Sequence, residues 1–166
     1  MIKTINLGER EESIEALKIL KKDNKTSRDI QIINSHITNL NELIGERLIK
    51  NSRLYIGSQT LFEIMQEGTG KGQHNYHNLT ADDVYLSLIS IKDPKCVFTV
   101  NGGRFALISI ELSHFDKPLM VVIETESGLI ENKTASVSKI VTIYPRGNID
   151  KYLEKIDQRL LLYMKK

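Results

Sequence analysis

Tryptophan is absent from this sequence, and cysteine occurs once, at Cys96. One cysteine closes no internal disulfide, so an apolar core must hold the fold, and a reducing, cytoplasmic setting is expected. Cys96 lies in the apolar run K-C-V-F-T-V, where a buried thiol is the plain reading. Three prolines and ten glycines in 166 residues exclude fibrous and low-complexity architectures. Neither sign of charge dominates: 23 Lys and Arg face 21 Asp and Glu, and a net charge of +2 does not by itself argue for a nucleic-acid partner. No apolar run approaches the roughly 18 residues of a membrane span. The opening M-I-K-T-I-N-L-G-E-R-E-E-S lacks the apolar stretch of a secretion signal, so no membrane association is expected.

What is present is the material for one globular unit, with 40% hydrophobic and 27% charged residues. Residues 9 to 22 put Ile14, Leu17 and Leu20 on one helical face, with glutamates early and lysines late, the order that suits the helix dipole. A second helical spacing follows Thr26 and Ser27 through Ile30, Ile33, Ile37, Leu40 and Ile44. R-L-Y-I-G reads as a short strand, and Ser58 as the cap of a helix carrying Leu61, Phe62, Ile64 and Met65. After the loop G-T-G-K-G-Q-H-N-Y-H-N, Thr80 caps another helix, with Asp83 three residues on as the carboxylate of a capping box.

Beyond Pro94 the hydrophobic period changes to two. Residues 95 to 100 and 104 to 112 flank the hairpin turn N-G-G, and the turns S-H-F-D-K-P and S-G-L-I-E-N-K-T-A connect two further strands. Connections too short for crossover helices imply an antiparallel meander. From Asn148 a last helix is expected, with Ile149, Tyr152, Leu153, Ile156, Leu160 and Tyr163 along one side. The expected class is α+β: N-terminal helices, then a four-stranded antiparallel sheet, then a C-terminal helix. The organisation expected is a helical extension over residues 1–50 and an α+β domain over residues 51–166 in one compact unit.

In the last strand, strict alternation places Ser138, Thr142, Tyr144 and Arg146 on one face with Ile140. Hydroxyls, a phenol and a guanidinium in a row can bind and polarise a phosphodiester, although a solvated face of an amphipathic strand gives the same pattern. Lys71, His74 and His77 in the glycine-rich loop add groups that exchange protons or carry charge near neutral pH. Two histidines in a polar loop are more often plain surface residues. His74 and His77 do not complete a zinc site, since no cysteine or spaced partner pair joins them, and no metal or other cofactor is expected. G-T-G-K-G lacks the spacing and the strand-before, helix-after context of a phosphate loop. His36 and His114 read as helix-surface and turn residues, and Glu124 and Glu126 as structural.

The order Y-I-G-S-Q-T-L, H-N-Y-H-N-L-T-A-D-D-V, D-P-K-C-V-F, N-G-G-R and K-I-V-T-I-Y-P-R-G-N resembles the phage-associated barnase, EndoU, colicin and RelE-like nuclease domains, including those at the C-terminus of MuF-type phage proteins. The similarity spans residues 53 to 160. The resemblance implies a ribonuclease fold with acid-base residues gathered on the sheet face and no metal. It carries the family's histidine ahead of the L-T helix start onto His77, with His74 beside it, and the polar last strand onto Thr142 and Tyr144, followed by Arg146 and Asn148. Arg104 of the hairpin becomes a phosphate ligand whose face strand parity leaves open. The family's residues vary, and the sequence offers no fixed catalytic triad.

The expected function is thus a metal-independent endoribonuclease toxin that cleaves RNA by 2′-hydroxyl transesterification. Its expected partners are RNA and an acidic antitoxin or immunity protein blocking the His77 cleft. Two other readings stand beside it: a non-catalytic phage or mobile-element module that binds RNA or protein, and a structural domain whose helical N-terminus mediates oligomerisation. Persistence of function in His77→Ala favours the former; wide separation of the histidines from the last-strand hydroxyls favours the latter.

Overall fold

Residues 2–23, 27–45, 53–68, 75–101, 103–125, 129–130, 133–134, 137–157 and 159–166 are described by a computed structural model. The chain begins with β1 (Thr4–Asn6), α1 (Arg10–Lys22) and β2 (Asp29–Ile33), then a 3-10 turn (Ile37–Asn39) and α2 (Leu40–Ile44). Next come β3 (Arg53–Gly57), α3 (Ser58–Ile64) and α4 (Ala81–Ile89). The second half holds β4 (Cys96–Val100), β5 (Arg104–Leu112), β6 (Pro118–Thr125), β7 (Leu129–Ile130), β8 (Lys133–Thr134), β9 (Val137–Pro145), α5 (Ile149–Lys155) and β10 (Leu161–Met164).

Eight of these strands form one mixed sheet in the order β1-β2-β3-β9-β6-β5-β4-β10, while β7 and β8 pair separately. The expected antiparallel meander exists as β4, β5, β6 and β9, with Gly103 at φ +74° in the first hairpin turn. A sheet of only four antiparallel strands behind N-terminal helices is nevertheless the wrong architecture. The parallel pairs β1 with β2 and β3 with β9 extend the sheet on one side, and β10 closes the other against β4.

Two elements changed type, each for a physical reason. The run D-I-Q-I-I fits a helical stripe through Ile30 and Ile33, but β3 supplies a strand partner with Ile30 opposite Ile56 and Ile32 opposite Leu54. Alternation then buries Ile30 and Ile32 and leaves Ile33 exposed. The closing helix stops at Lys155 because the chain turns at Asp157, whose carboxylate accepts from the backbone N–H and guanidinium of Arg159. Leucine-rich residues 161–164 then satisfy the open edge of β4. Residues 1–50, expected as a helical extension, therefore contribute the strands β1 and β2 to the sheet, and Ile5 and Ile30 share a core with Val121 and Ile140.

Alternation along the strands builds two cores. On one face Val97, Leu107, Val121, Ile123 and Ile140 pack with residues of α1, α3 and α4. On the other, Phe98, Ala106, Ile108, Met120 and Val122 lie under Ile149 and Leu153 of α5. Cys96 is fully buried in this second core, as its apolar run implied, and burial pushes its thiol up to about 11 against the pull of Lys95. No helix among the described residues is long and apolar enough to cross a membrane.

Candidate active site

The site begins with an irregularity in β9. Thr142 lies opposite Val122 and Ile140 opposite the next β6 residue, Ile123, so Val141 is an extra residue on β9. Such a bulge reverses the side-chain parity beyond it. Ser138 and Ile140 therefore face the helix-covered core, where Ser138 is fully buried opposite Leu54, while Thr142 and Tyr144 emerge on the α5 side with Val122 and Met120. The single row of Ser138, Thr142 and Tyr144 expected from strict alternation does not form.

The register of β3 with β9 ends at Ile56 opposite Ile140, where the chain turns into α3. Among the described residues, 142 to 145 of β9 are paired with β6 alone. The segment ahead of α4 lies beside this stretch. It is pinned to the end of α3 by two backbone hydrogen bonds, Asn78 N–H to the Gln66 carbonyl at 2.9 Å and Leu79 N–H to the Ile64 carbonyl at 3.0 Å. Leu79 anchors it by full burial in the core, and Asn78 adopts the left-handed φ of +53° that the bend requires.

These constraints bring half-buried His77 onto β9. Its Nε2 lies 3.4 Å from the Thr142 hydroxyl, and its ring centroid lies 5.6 Å from that of Tyr144 at a tilt of 41°. The Tyr144 hydroxyl donates to the Met120 sulfur at 3.1 Å. Burial raises the Tyr144 pKa, with Arg146 drawing it down and Tyr152 pushing it up, so the phenol keeps its proton at neutral pH. The Arg146 guanidinium lies 4.6 Å over the Tyr152 ring, and its buried Nε has no hydrogen-bond partner among the described residues.

Of the residues expected from sequence, His77, Thr142, Tyr144 and Arg146 thus gather at one end of β9. Arg104 shares the Tyr144 face of the sheet, but its partner Glu124 stands four residues along β6 from Met120, the partner of Tyr144. At the usual strand rise that is roughly 13 Å. Arg104 also points its Nε at the Glu124 carboxylate, 3.7 Å away. Ser138 lies on the opposite face, and Lys71 and His74 fall outside the described residues.

Sequence reasoning passed over Asp83 and His114 as a pair. Thr80 and Asp83 form the expected capping box, each side chain accepting from the other's backbone N–H at 3.0 Å. The same buried carboxylate also accepts from the His114 backbone N–H at 3.0 Å and contacts His114 Nδ1, which ties the β5–β6 turn to the start of α4. Burial alone raises the Asp83 pKa, but these hydrogen bonds outweigh it and hold the carboxyl below its ordinary value. Asp83→Asn is therefore expected to destabilise the protein by about 1–3 kcal/mol at neutral pH. Because the folded carboxyl titrates below the unfolded one, this difference is complete above about pH 4 and shrinks as acid protonates the folded group. Urea unfolding of both proteins at several pH values checks it; a difference that grows in acid contradicts the assignment.

Comparison with known families places the site within a recognised unit: a family model described as the phage MuF-C-terminal domain matches residues 69–166. That span starts after α3 and includes His77, all of β9, α5 and β10. No curated protein and no solved structure matches the chain.

Proposed function

This chain belongs to the phage MuF-C-terminal domain family, and from that premise we propose that it is a metal-independent endoribonuclease of the toxin type. The observation that carries the reading is the meeting of His77 with Thr142 and Tyr144 beside the Arg146 guanidinium. Cleavage by transesterification removes the ribose 2′-hydroxyl proton as the 2′-oxygen bonds to phosphorus. The P–O5′ bond breaks, and the departing oxygen takes up a proton. Histidine exchanges protons near neutral pH, so His77 serves as the base or the acid of this sequence. The phenol of Tyr144 and the hydroxyl of Thr142 donate toward the phosphoryl oxygens, and Arg146 supplies charge to the phosphorane. Arg146 takes this role ahead of Arg104, which sits far along the strand beside a carboxylate. A toxin acting inside a cell requires an inhibitor, and an acidic antitoxin or immunity protein covering this cationic end of β9 fits that need.

Incubating the purified protein with total cellular RNA in excess EDTA tests the reading. Cleavage that leaves 2′,3′-cyclic phosphate and 5′-hydroxyl ends is the expected result. Intact RNA in the presence of folded protein removes the enzymatic reading and leaves a non-catalytic module that binds RNA or protein.

A further inference from the structure

We infer that Lys117 and Arg146, held by Tyr152 and the Asp83–His114 clasp, form a phosphate subsite that grips the backbone of single-stranded RNA beside the His77 centre. This rests on the ribonucleolytic reading and names how that same site holds its substrate. Arg146 follows β9 directly, and its backbone N–H donates to the Pro118 carbonyl at 2.8 Å, which joins it to the start of β6. Lys117 is the residue before Pro118. Its stem lies over Gly147: a methyl group at Gly147 would sit 3.5 Å from Lys117 Cε and 3.9 Å from Nζ. The ammonium group is thus carried next to the residue that follows Arg146.

Neither cation makes an ion pair among the described residues, whereas Arg28, Lys95, Arg104, Lys139, Arg159 and Lys165 each lie within 4.0 Å of a carboxylate. The Arg146 fork is instead stacked on the Tyr152 face, and its Nε is buried with a donor unused. A buried donor without a partner calls for an acceptor, and a guanidinium fixed by stacking presents its remaining N–H groups in a set plane that matches two phosphate oxygens.

The turn carrying Lys117 is equally constrained. The Ser113 backbone N–H and hydroxyl both donate to the Lys117 carbonyl at 2.8 Å, and Asp116 takes the left-handed φ of +58°. Asp83 holds the neighbouring His114 by two contacts, so the capping box of α4 also fixes where Lys117 begins. Tyr144 stands on β9 two residues before Arg146 and packs with Tyr152 against the same core cluster, which sets the subsite beside the proposed reacting centre.

The test is binding of a short single-stranded 2′-O-methyl oligoribonucleotide, which lacks the attacking hydroxyl and so reports binding without cleavage. Lys117→Ala and Arg146→Gln are each expected to weaken binding and to reduce the slope of log affinity against log salt by about 0.7, the value for one phosphate contact on a single strand. Tyr152→Leu is expected to weaken binding about threefold to tenfold with the slope unchanged, because it removes the stacking platform and no charge. Lys92→Ala, exposed in the turn that follows α4, is the control. Lys117 is exposed, so its variant folds as the parent does. Parent protein that binds and cleaves RNA while Lys117→Ala and Arg146→Gln match the control overturns the subsite and leaves the ribonuclease reading standing. Parent protein that binds no oligonucleotide at any salt concentration overturns both.

Discussion

Replacing His77 with alanine is expected to slow RNA cleavage by about 10²- to 10⁴-fold, the range that a positioned acid or base contributes. The folded state should be little affected. His77 is half-buried rather than part of the core, so the loss of stability is expected to stay within about 1 kcal/mol. Tyr144→Phe removes the hydroxyl proposed to turn from the Met120 sulfur toward the phosphate and is expected to cost about 10²-fold in rate. The two variants separate by their pH profiles. Burial holds the Tyr144 phenol above its ordinary value near 10, so no limb of the parent profile below that pH belongs to it. A limb near neutrality that disappears in His77→Ala belongs to the histidine. Unchanged cleavage by His77→Ala, measured on a defined RNA under single-turnover conditions, removes this residue from the chemistry and with it the proposed site.

The second large effect concerns the first half of the chain. Ile30→Ala is expected to destabilise the protein by about 2–5 kcal/mol, because Ile30 is fully buried in the core. Ile33→Ala should cost within about 0.5–1 kcal/mol, because Ile33 is 36% exposed on the outer face of β2. A helical stripe through residues 30 and 33 makes the two substitutions equally damaging; the strand makes them unequal. Denaturant midpoints at constant slope give the answer. Similar losses at both positions contradict the strand, and a loss at Ile30 below about 1 kcal/mol contradicts its place in the common core.

Those two isoleucines also show why part of this fold was hidden. In D-I-Q-I-I both the helical and the alternating spacing are satisfied; the three isoleucines lean toward a strand, but the spacing alone does not separate the two. The partner β3 separates them, and nothing within the five residues announces it. Leu160 and Tyr163 continue the helical stripe of α5, yet residues 161–164 became a strand because β4 had an unfilled edge. The bulge at Val141 is the same problem at the scale of one residue. Its presence depends on how β6 is matched to β9, and its effect is to turn Ser138 away from Thr142 and Tyr144.

Features encoded within a few residues were legible in the chain itself. The Thr80–Asp83 capping box, the glycine turn before Arg104, the antiparallel meander and the burial of Cys96 each rest on interactions between near neighbours or on a run of one hydropathy. The choice of His77, Thr142, Tyr144 and Arg146 also came from sequence, through residue chemistry and family resemblance. Contacts between distant residues were decided by tertiary structure alone: His114 on Asp83, 31 positions away, and Lys117 over Gly147. So were the sheet's outer strands and the face each β9 side chain takes. The physical reason is common to all of these. A strand or a polar contact gains its free energy from a partner brought close by the rest of the fold, whereas a cap or a tight turn finds its partner within its own segment.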